Sequence, residues 1–287
     1  MSHLTIGSEL MENPYADHWR ALRARRTPPN FLREIRVFPV HEIGWEIMCG
    51  NLEIADMLYA GDVLLVRGAF NRESCQLFVD RLWEWGQKSQ SSFHKILDGI
   101  PDFHRIIDGT VSSAYAAKTI RHAYYFFRHN GDPLGLFPRV DPRWRLFKRL
   151  SGLTDSEIDQ SAKRLPRDGI LDRLMFYRYP HGGGELKTHI DPVNNQPLVI
   201  GGFLSTRGVD FKEGGIYYIG RDGQKVDLEA QVMAGDIMLA YPSLPHGVDC
   251  IDRGVPIDWN TSKGRWFVGM AIVDSDTKAR RETTVTL

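Results

Sequence analysis

The sequence has few cysteines, no excess of charge and no long apolar run. Cys49, Cys75 and Cys250 lie far apart and form no CxxC pair, which argues against a disulfide framework and against a zinc knuckle. The 36 basic residues balance the 36 acidic ones and are interleaved with them, so we expect neither nucleic acid nor a membrane as a partner. No window approaches the roughly 20 apolar residues of a membrane-spanning helix, and the N-terminus has no signal-peptide core. These absences predict a soluble, cytoplasmic protein.

The composition that remains is typical of a globular protein. The chain has 287 residues, of which 42% are hydrophobic and 25% charged, and a chain of this length can bury a sizeable core. No repeat, low-complexity tract or clean linker divides it. We expect one catalytic domain in four segments: an N-terminal extension (1–34), a mixed, mainly helical support that also forms a substrate lid (35–165), a β-rich catalytic core (166–276) and a C-terminal tail (277–287).

The front half contains signals for both helices and strands. A short helix is predicted around Ala16 to Arg25, before two prolines. Residues 35–43 and 61–70 have the apolar, β-branched composition of strands. Asn71 is a candidate N-cap for a helix with apolar residues at helical spacing, and Thr154 or Asp155 is a candidate cap for an exposed helix.

The sequence pattern changes after Pro166 to short apolar segments separated by Gly, Pro and Asn. There are eight such segments: LMFYRYP, ELKTHID, LVIGGFLS, GGIYYIG, KVDLEA, DIMLAYP, HGVDCI and RWFVGMAIV. Eight strand candidates within about 110 residues predict a β-sandwich or a small barrel.

Three residues of this β-rich segment have the types and spacing of a metal site. Residues i and i+2 of a strand point to the same face, so His189 and Asp191 can both reach one ion, while His246 must come from another strand. Two imidazoles and one carboxylate cover one face of an octahedron and leave positions open. Fe(II) oxygenases need such open positions for O2 and a bidentate co-substrate, so the ligand set favours iron over zinc.

The residues around these ligands resemble a known family. In MFYRYPHGGGELKTHIDP, Tyr179-Pro180 and the run Gly182–Gly184 precede the His-x-Asp pair in the order and spacing of the prolyl-hydroxylase-like branch of the Fe(II)/2-oxoglutarate oxygenases. Further on, FKEGGIYYI and VMAGDIMLAYPSLPHGV resemble the family's Gly-Gly strand, Gly-Asp turn and distal histidine. The resemblance covers roughly residues 170–275. It implies a mainly β protein with flanking helices (α+β) and a double-stranded β-helix, or jelly-roll, core.

The same resemblance implies residues for the co-substrate. On the last strand, Arg265 stands where the family places the basic residue that binds the far carboxylate of 2-oxoglutarate, and a planar guanidinium suits that task because it makes two parallel hydrogen bonds to a carboxylate. Tyr179 is expected to supply a hydroxyl group to the co-substrate. The loop between His246 and Arg265 is longer than in the family, so Arg253 or Lys263 remains an alternative for this role.

The reaction implied by the resemblance consumes 2-oxoglutarate and O2 at Fe(II) and releases succinate and CO2, with ascorbate helping to keep the iron reduced. Hydroxylation of a C–H bond is the usual outcome, although desaturation, ring closure and epimerisation occur in the family. Related halogenases have Gly or Ala at the position of Asp191, so its carboxylate favours hydroxylation. We expect a small-molecule substrate: an amino acid, a sugar or a natural-product intermediate.

Several other residues are candidate substrate contacts. The aromatic stretch His122–His129 can line a substrate cleft, with Arg121 or Arg128 pairing an acidic substrate, while Tyr177 and Lys187 lie within the metal motif. The three glycines of that motif lack the helix and the Lys-Ser/Thr pair of a phosphate cradle, and they indicate a turn.

An alternative function on the same fold is a cupin-type metal-dependent isomerase or a small-molecule binding protein. Cupins usually present His-x-His followed by Glu, whereas this chain has His-x-Asp and an arginine on the last strand. Neither alternative yields succinate, so an assay of succinate formation separates the two interpretations.

Overall fold

The computed structural model describes residues 13–91, 102–115, 117–159, 170–193, 196–274 and 285–286. Six α-helices form within these residues: α1 (Pro14–Arg25), α2 (Val40–Met48), α3 (Glu53–Tyr59), α4 (Arg72–Lys88), α5 (Phe137–Leu150) and α6 (Asp155–Ile158). The same ranges contain thirteen strands: β1 (Ile35–Pro39), β2 (Val63–Arg67), β3 (Phe103–Ile107), β4 (Thr119–Phe127), β5 (Ile170–Pro180), β6 (Glu185–Ile190), β7 (Val199–Phe203), β8 (Gly215–Ile219), β9 (Lys225–Asp227), β10 (Ile237–Ala240), β11 (His246–Asp249), β12 (Gly264–Asp274) and β13 (Val285–Thr286).

Strands β5 to β12 form two antiparallel sheets. The major sheet has the order β10-β7-β12-β5, and the minor sheet has the order β9-β8-β11-β6. Apart from the neighbours β8 and β9, consecutive strands alternate between the two sheets. This winding is the double-stranded β-helix, so the predicted mainly β jelly-roll fold with flanking helices is confirmed.

The space between the two sheets is filled by the side chains of their inner faces. Phe203 and Met238 of the major sheet share one buried cluster with Ile216 and Tyr218 of the minor sheet. Because side chains alternate along a strand, the neighbouring residues of the major sheet point to its outer face. That face is covered by a helical layer.

The helical layer contributes the largest cluster of buried side chains. Phe78 of α4 and Trp144 of α5 pack in one cluster with Phe176 and Val268 on the outer face of the major sheet. The predicted N-cap Asn71 is confirmed, since its side chain accepts a hydrogen bond from Ser74 N at 2.8 Å. These helices hold the major sheet in place from outside, which leaves its inner face for the site.

The first helix is an integral part of this layer. It covers Pro14–Arg25, as the sequence indicates for residues 16–25. Trp19 is buried, and its Nε1 donates a hydrogen bond to the carbonyl of Leu150 at 2.7 Å. The described part of the N-terminal extension is thus bound to the end of α5 and packs in the main core.

Four further strands widen the major sheet. Strand β2 pairs with β10 and β1 pairs in parallel with β2, while β4 pairs with β5 and β3 with β4. Strand β4 also joins the minor sheet, because Thr119 and Ile120 pair with β6. The expectation of mainly helical structure is wrong for β3 and β4. Their aromatic residues are buried on both faces, with Tyr124 toward the helices and Tyr125 toward the interior, which suits a central strand.

The strands predicted for the second half of the chain are confirmed. All eight apolar segments after Pro166 contain strands of the two sheets. The strand predicted for 35–43 ends at Pro39, where α2 begins. Of the two candidate caps, Thr154 is the N-cap, and it forms a capping box with Glu157.

The boundaries of the four predicted segments stay predictions. Residues 160–169 and most of 277–287 lie outside the described ranges. Within the ranges that are described, no helix is long and apolar enough to cross a membrane.

Candidate metal centre

The minor sheet brings the two predicted histidine ligands together. His189 near the end of β6 pairs directly with His246, the first residue of β11. A β-bulge follows, because the next pair is Leu186 with Val248, so that two residues of β6 oppose one of β11. The two imidazole rings lie side by side with their centres 4.3 Å apart.

Asp191 completes the cluster from just beyond the end of β6. Its backbone amide donates to the carbonyl of Pro242 at 3.0 Å. Its carboxylate oxygens lie 3.5 Å from Nε2 of His246 and 3.8 Å from Nε2 of His189. One donor atom from each of the three residues fits within 4.8 Å. Both imidazoles are buried, and the carboxylate is 30% exposed, so the cluster has one accessible side.

Backbone hydrogen bonds fix the tautomer of both histidines. Nδ1 of His189 lies 2.9 Å from the carbonyl oxygen of Lys187, and Nδ1 of His246 lies 2.9 Å from that of Leu244. A carbonyl oxygen can only accept, so each Nδ1 carries the proton and donates it. In a neutral ring the other nitrogen, Nε2, then has a free lone pair. Both lone-pair nitrogens are the atoms that face Asp191.

Burial keeps the His189 ring neutral. It lowers the pKa of His189 to about 4, with a smaller lowering contribution from the charge of His246. The ring of Tyr218 stacks on His246 with centres 5.2 Å apart. Burial raises the pKa of Tyr218, and the nearby charge of Asp191 adds to that increase. A neutral imidazole is the form that binds a metal.

The donor set fits a divalent transition-metal ion. Two unprotonated Nε2 atoms and one carboxylate converge from one side, which is the 2-His-1-carboxylate arrangement with positions left open. The second nitrogen of each ring is held by the main chain, as is usual for metal-binding histidines. The structure thus brings together the three residues that the sequence singled out.

Arg265 lies on the inner face of the major sheet, directly opposite Tyr179 of β5. It is almost fully buried, and its Cζ is 5.6 Å from the centre of the Tyr179 ring and 5.5 Å from that of Phe203. Its Nε donates to Oε2 of Glu229 at 2.7 Å, while its Nη2 has no hydrogen-bond partner among the described residues. A buried donor without a partner is costly, which makes it a candidate for a ligand contact.

Glu229 was missed by the sequence analysis. It is buried, and the oxygen that accepts from Arg265 also accepts from the backbone amide of Ile216 at 2.8 Å. The Gly215 position accommodates its side chain, since a Cβ there would lie 2.3 Å from Glu229 Cγ. The contact between Glu229 and Arg265 joins residues 36 positions apart in the sequence, so no local sequence motif predicts it.

The long loop before β12 explains the glycine run. A Cβ on Gly182 would lie 2.5 Å from the carbonyl oxygen of Pro256, and one on Gly183 would lie 2.4 Å from the side chain of Ile257. The glycines are therefore needed because the loop lies directly on them. The alternatives to Arg265 for the co-substrate, Arg253 and Lys263, are exposed on this loop.

Arg128 is not brought to the histidines. Its Nε donates to Asp172 at 2.6 Å, and its other nitrogens bind Asp141. Asp172 and Tyr179 are seven residues apart on β5, which corresponds to about 23 Å of extended strand. We therefore do not retain Arg128 as a substrate contact, because its charge is already paired at the far end of the strand.

The other two substrate candidates differ in their surroundings. Tyr177 lies on the inner face, opposite Phe267, and its ring centre is 4.0 Å from Cζ of Arg121. Lys187 lies at the bulge, is half exposed, and donates to Glu185 at 2.9 Å. Tyr177 therefore faces the same interior as Tyr179, whereas the ammonium group of Lys187 points to the surface.

Comparison with known proteins adds likeness of fold. No protein-family model matches the chain, and no curated protein matches it in sequence. Among solved structures it is similar to a prolyl-4-hydroxylase of Pseudomonas putida, with 11% identity, coverage of 78% of this chain and 97% of the other, and a TM-score of 0.48.

Two further solved structures are similar to a comparable degree. One is a prolyl hydroxylase from Trichoplax adhaerens in complex with a hypoxia inducible factor peptide fragment, with 13% identity, coverage of 85% and 97%, and a TM-score of 0.49. The other is a 2OG-Fe(II) oxygenase family oxidoreductase from Burkholderia pseudomallei, with 12% identity, coverage of 76% and 88%, and a TM-score of 0.42. At these identities the likeness concerns the fold alone, and the roles of residues rest on the geometry above.

Proposed function

We propose that this chain is an Fe(II)- and 2-oxoglutarate-dependent dioxygenase that hydroxylates a C–H bond of a small molecule, an amino acid, a sugar or a natural-product intermediate. The observation that carries the proposal is the pair of buried histidines whose Nδ1 protons are bound by main-chain carbonyls and whose Nε2 atoms converge on Asp191. This arrangement presents three metal donors, two of them on buried imidazoles and one on a partly exposed carboxylate.

His189, Asp191 and His246 would hold the iron, leaving the side away from the two strands for the reactants. When bound, the iron supplies the O2-dependent oxidation of a C–H bond, coupled to the conversion of 2-oxoglutarate to succinate and CO2. The chain itself fixes the ligand geometry: the bulge in β6 orients one imidazole, and stacking of Tyr218 on the other restrains its ring. Asp191 keeps a carboxylate at the third position, which supports hydroxylation over halogenation.

Arg265 would bind the far carboxylate of 2-oxoglutarate, with Tyr179 beside it. Support for this role comes from the buried Nη2 without a partner and from the inward-facing position opposite Tyr179. Glu229 holds the Nε side of the guanidinium, so the remaining donors have a fixed direction. A preset guanidinium loses little conformational entropy when it binds a carboxylate.

The proposal is tested by succinate formation from 2-oxoglutarate with added Fe(II) in air, comparing the wild type with His189→Ala. We expect succinate from the wild type and none above background from the variant. His41→Ala, which changes an exposed histidine, serves as the matched control and should retain turnover. Equal turnover in His189→Ala and the wild type would refute the assignment.

A further inference from the structure

A second arginine lies in the same row as Tyr179 and Arg265. On β5, Tyr179 is paired with Arg265 of β12 on one side. On its other side, the register of His122 with Arg178 puts Arg121 of β4 next to Tyr179. The order across three neighbouring strands is therefore Arg265, Tyr179, Arg121, and all three side chains are on the inner face that looks toward the histidines.

The contacts of Arg121 are with tyrosines. Its Nη1 donates to the hydroxyl of Tyr179 at 3.4 Å, and its Cζ lies 4.0 Å from the centre of the Tyr177 ring. Its Nε is buried and has no hydrogen-bond partner among the described residues. No carboxylate in the described part of the chain lies within ion-pair distance of it. The guanidinium charge is thus unbalanced by any acid of the described chain.

The location of Arg121 is close to the candidate metal centre. Tyr179, to which its Nη1 donates, packs in one buried cluster with Val248 of β11 and against Leu186 of β6, the two strands that carry His246 and His189. Burial raises the pKa of Tyr125, but the charges of Arg105, Arg121 and Arg173 outweigh burial and lower it. The interior around Tyr125 therefore has a positive potential, which attracts anions.

Two other arginines of this protein are paired with acidic side chains. Arg128, seven positions further along the chain, is paired with Asp141 and Asp172, and Arg265 is paired with Glu229. Proteins rarely leave a partly buried charge without a counterion, because its desolvation is then uncompensated. An arginine that lacks an acid and faces a reaction site has the features of an anion-binding residue.

We propose that Arg121 binds a carboxylate of the primary substrate, so that the substrate is a carboxylic acid. This inference rests on the proposed function, in which Arg265 takes the far carboxylate of 2-oxoglutarate. Arg121 and Arg265 are two strand spacings apart, or about 10 Å between their backbones. They lie on opposite sides of Tyr179, so Arg121 is assigned to a second anionic group. The ring of Tyr177 offers a flat surface beside that group.

The experiment uses benzoate and benzamide as probes, because they share one shape and differ in charge. The protein is loaded with Zn(II), which is diamagnetic and inert to O2, and with 2-oxoglutarate, whose metal-dependent binding is measured separately by calorimetry. The Nε–H resonance of Arg121, assigned through its loss in Arg121→Lys, is followed by NMR during each titration. We expect a saturable shift with benzoate and none with benzamide. The inference is overturned if neither probe shifts the resonance or if both do so equally.

Variants separate this inference from the proposed function. Arg121→Gln should weaken benzoate binding at least about tenfold, the loss of one charge-assisted contact, and leave 2-oxoglutarate affinity unchanged. Arg121→Lys should restore part of the benzoate affinity, and Arg20→Gln, on an exposed face of α1, should alter neither. A fall in 2-oxoglutarate affinity in Arg121→Gln, with benzoate binding intact, would overturn the inference alone. Failure of the wild type to bind 2-oxoglutarate with metal would instead refute the proposed function.

Discussion

The two ends of strand β5 use the same kinds of charged residue for different purposes. At its beginning, Asp172 binds both Arg128 and Lys148, and Asp141 binds Arg128 as well. Two cations and two anions cancel there, with Lys148 and Asp172 buried and Arg128 and Asp141 partly buried.

At the other end of β5, Tyr179 lies between two guanidiniums and faces the histidine pair. Arg121 and Arg265 each keep a buried nitrogen without a partner among the described residues. Charges that cancel within the chain stabilise the fold, whereas groups left without partners are available to a ligand. Substitutions at the first end should therefore reduce stability, and those at the second end should reduce binding.

The largest effect on stability is expected from Asp172→Asn. This change removes the carboxylate that pairs with the buried Lys148 and leaves Arg128 with Asp141 alone, so the free energy of unfolding should fall by about 3–5 kcal/mol. Denaturant unfolding measures it. The control Asp17→Asn, which affects an exposed pair on α1, should change the free energy by less than about 0.5 kcal/mol.

If Asp172→Asn lowered stability no more than the Asp17→Asn control, the ion pairs of Asp172 would not stabilise the fold. Metal affinity of the folded Asp172→Asn variant should match the wild type, because the network lies at the far end of β5. A selective loss of metal binding with normal stability would contradict the division between the two ends.

Arg265→Gln should act chiefly on the co-substrate. Loss of its bond to the far carboxylate should raise the Kd for 2-oxoglutarate about 10- to 100-fold, equivalent to about 1.4–2.7 kcal/mol. Calorimetry with Fe(II) under anaerobic conditions measures this change, and turnover at saturating 2-oxoglutarate should recover.

Glu229 complicates that single change, because its buried carboxylate would lose its only cationic partner among the described residues and keep the amide of Ile216. The double variant Arg265→Gln/Glu229→Gln replaces both charges and separates the two effects. It should be more stable than Arg265→Gln and bind 2-oxoglutarate as weakly. Wild-type affinity for 2-oxoglutarate in the double variant would show that Arg265 does not bind the co-substrate.

The smallest effect is expected at the glycine run. Gly183→Ala puts a methyl group into the space of Ile257 and should cost about 1–2 kcal/mol of unfolding free energy through overpacking. Adding Ile257→Ala should restore most of the lost stability, because Ile257, which is 37% exposed, is the side chain that the new methyl group contacts. Thermal or denaturant unfolding of the two variants checks this. No recovery in the double variant would mean that the loop does not lie on the glycines.

The sequence predicted those features that depend on local pattern. The eight core strands follow from short apolar segments between turn residues, and His189 and Asp191 share a site because residues i and i+2 of a strand share a face. The family resemblance then gave Arg265 and the jelly-roll core.

Features that depend on long-range pairing could not be predicted. The aromatic segment of β4 has no alternation to mark it as a strand, because both of its faces are buried. The partnership of Arg265 with Glu229 and the different surroundings of Arg121 and Arg128 follow only from strand register. Sequence spacing identifies candidates of the right chemistry, and the fold decides which of them remain unpaired.

The central claim is tested most directly by measuring the binding of 2-oxoglutarate under anaerobic conditions with and without Fe(II), in the wild type and in His246→Ala. The account predicts tight binding to the wild type only when Fe(II) is present, and none of that metal dependence in the variant. Binding that is equal with and without Fe(II), or that is unchanged in His246→Ala, would contradict it.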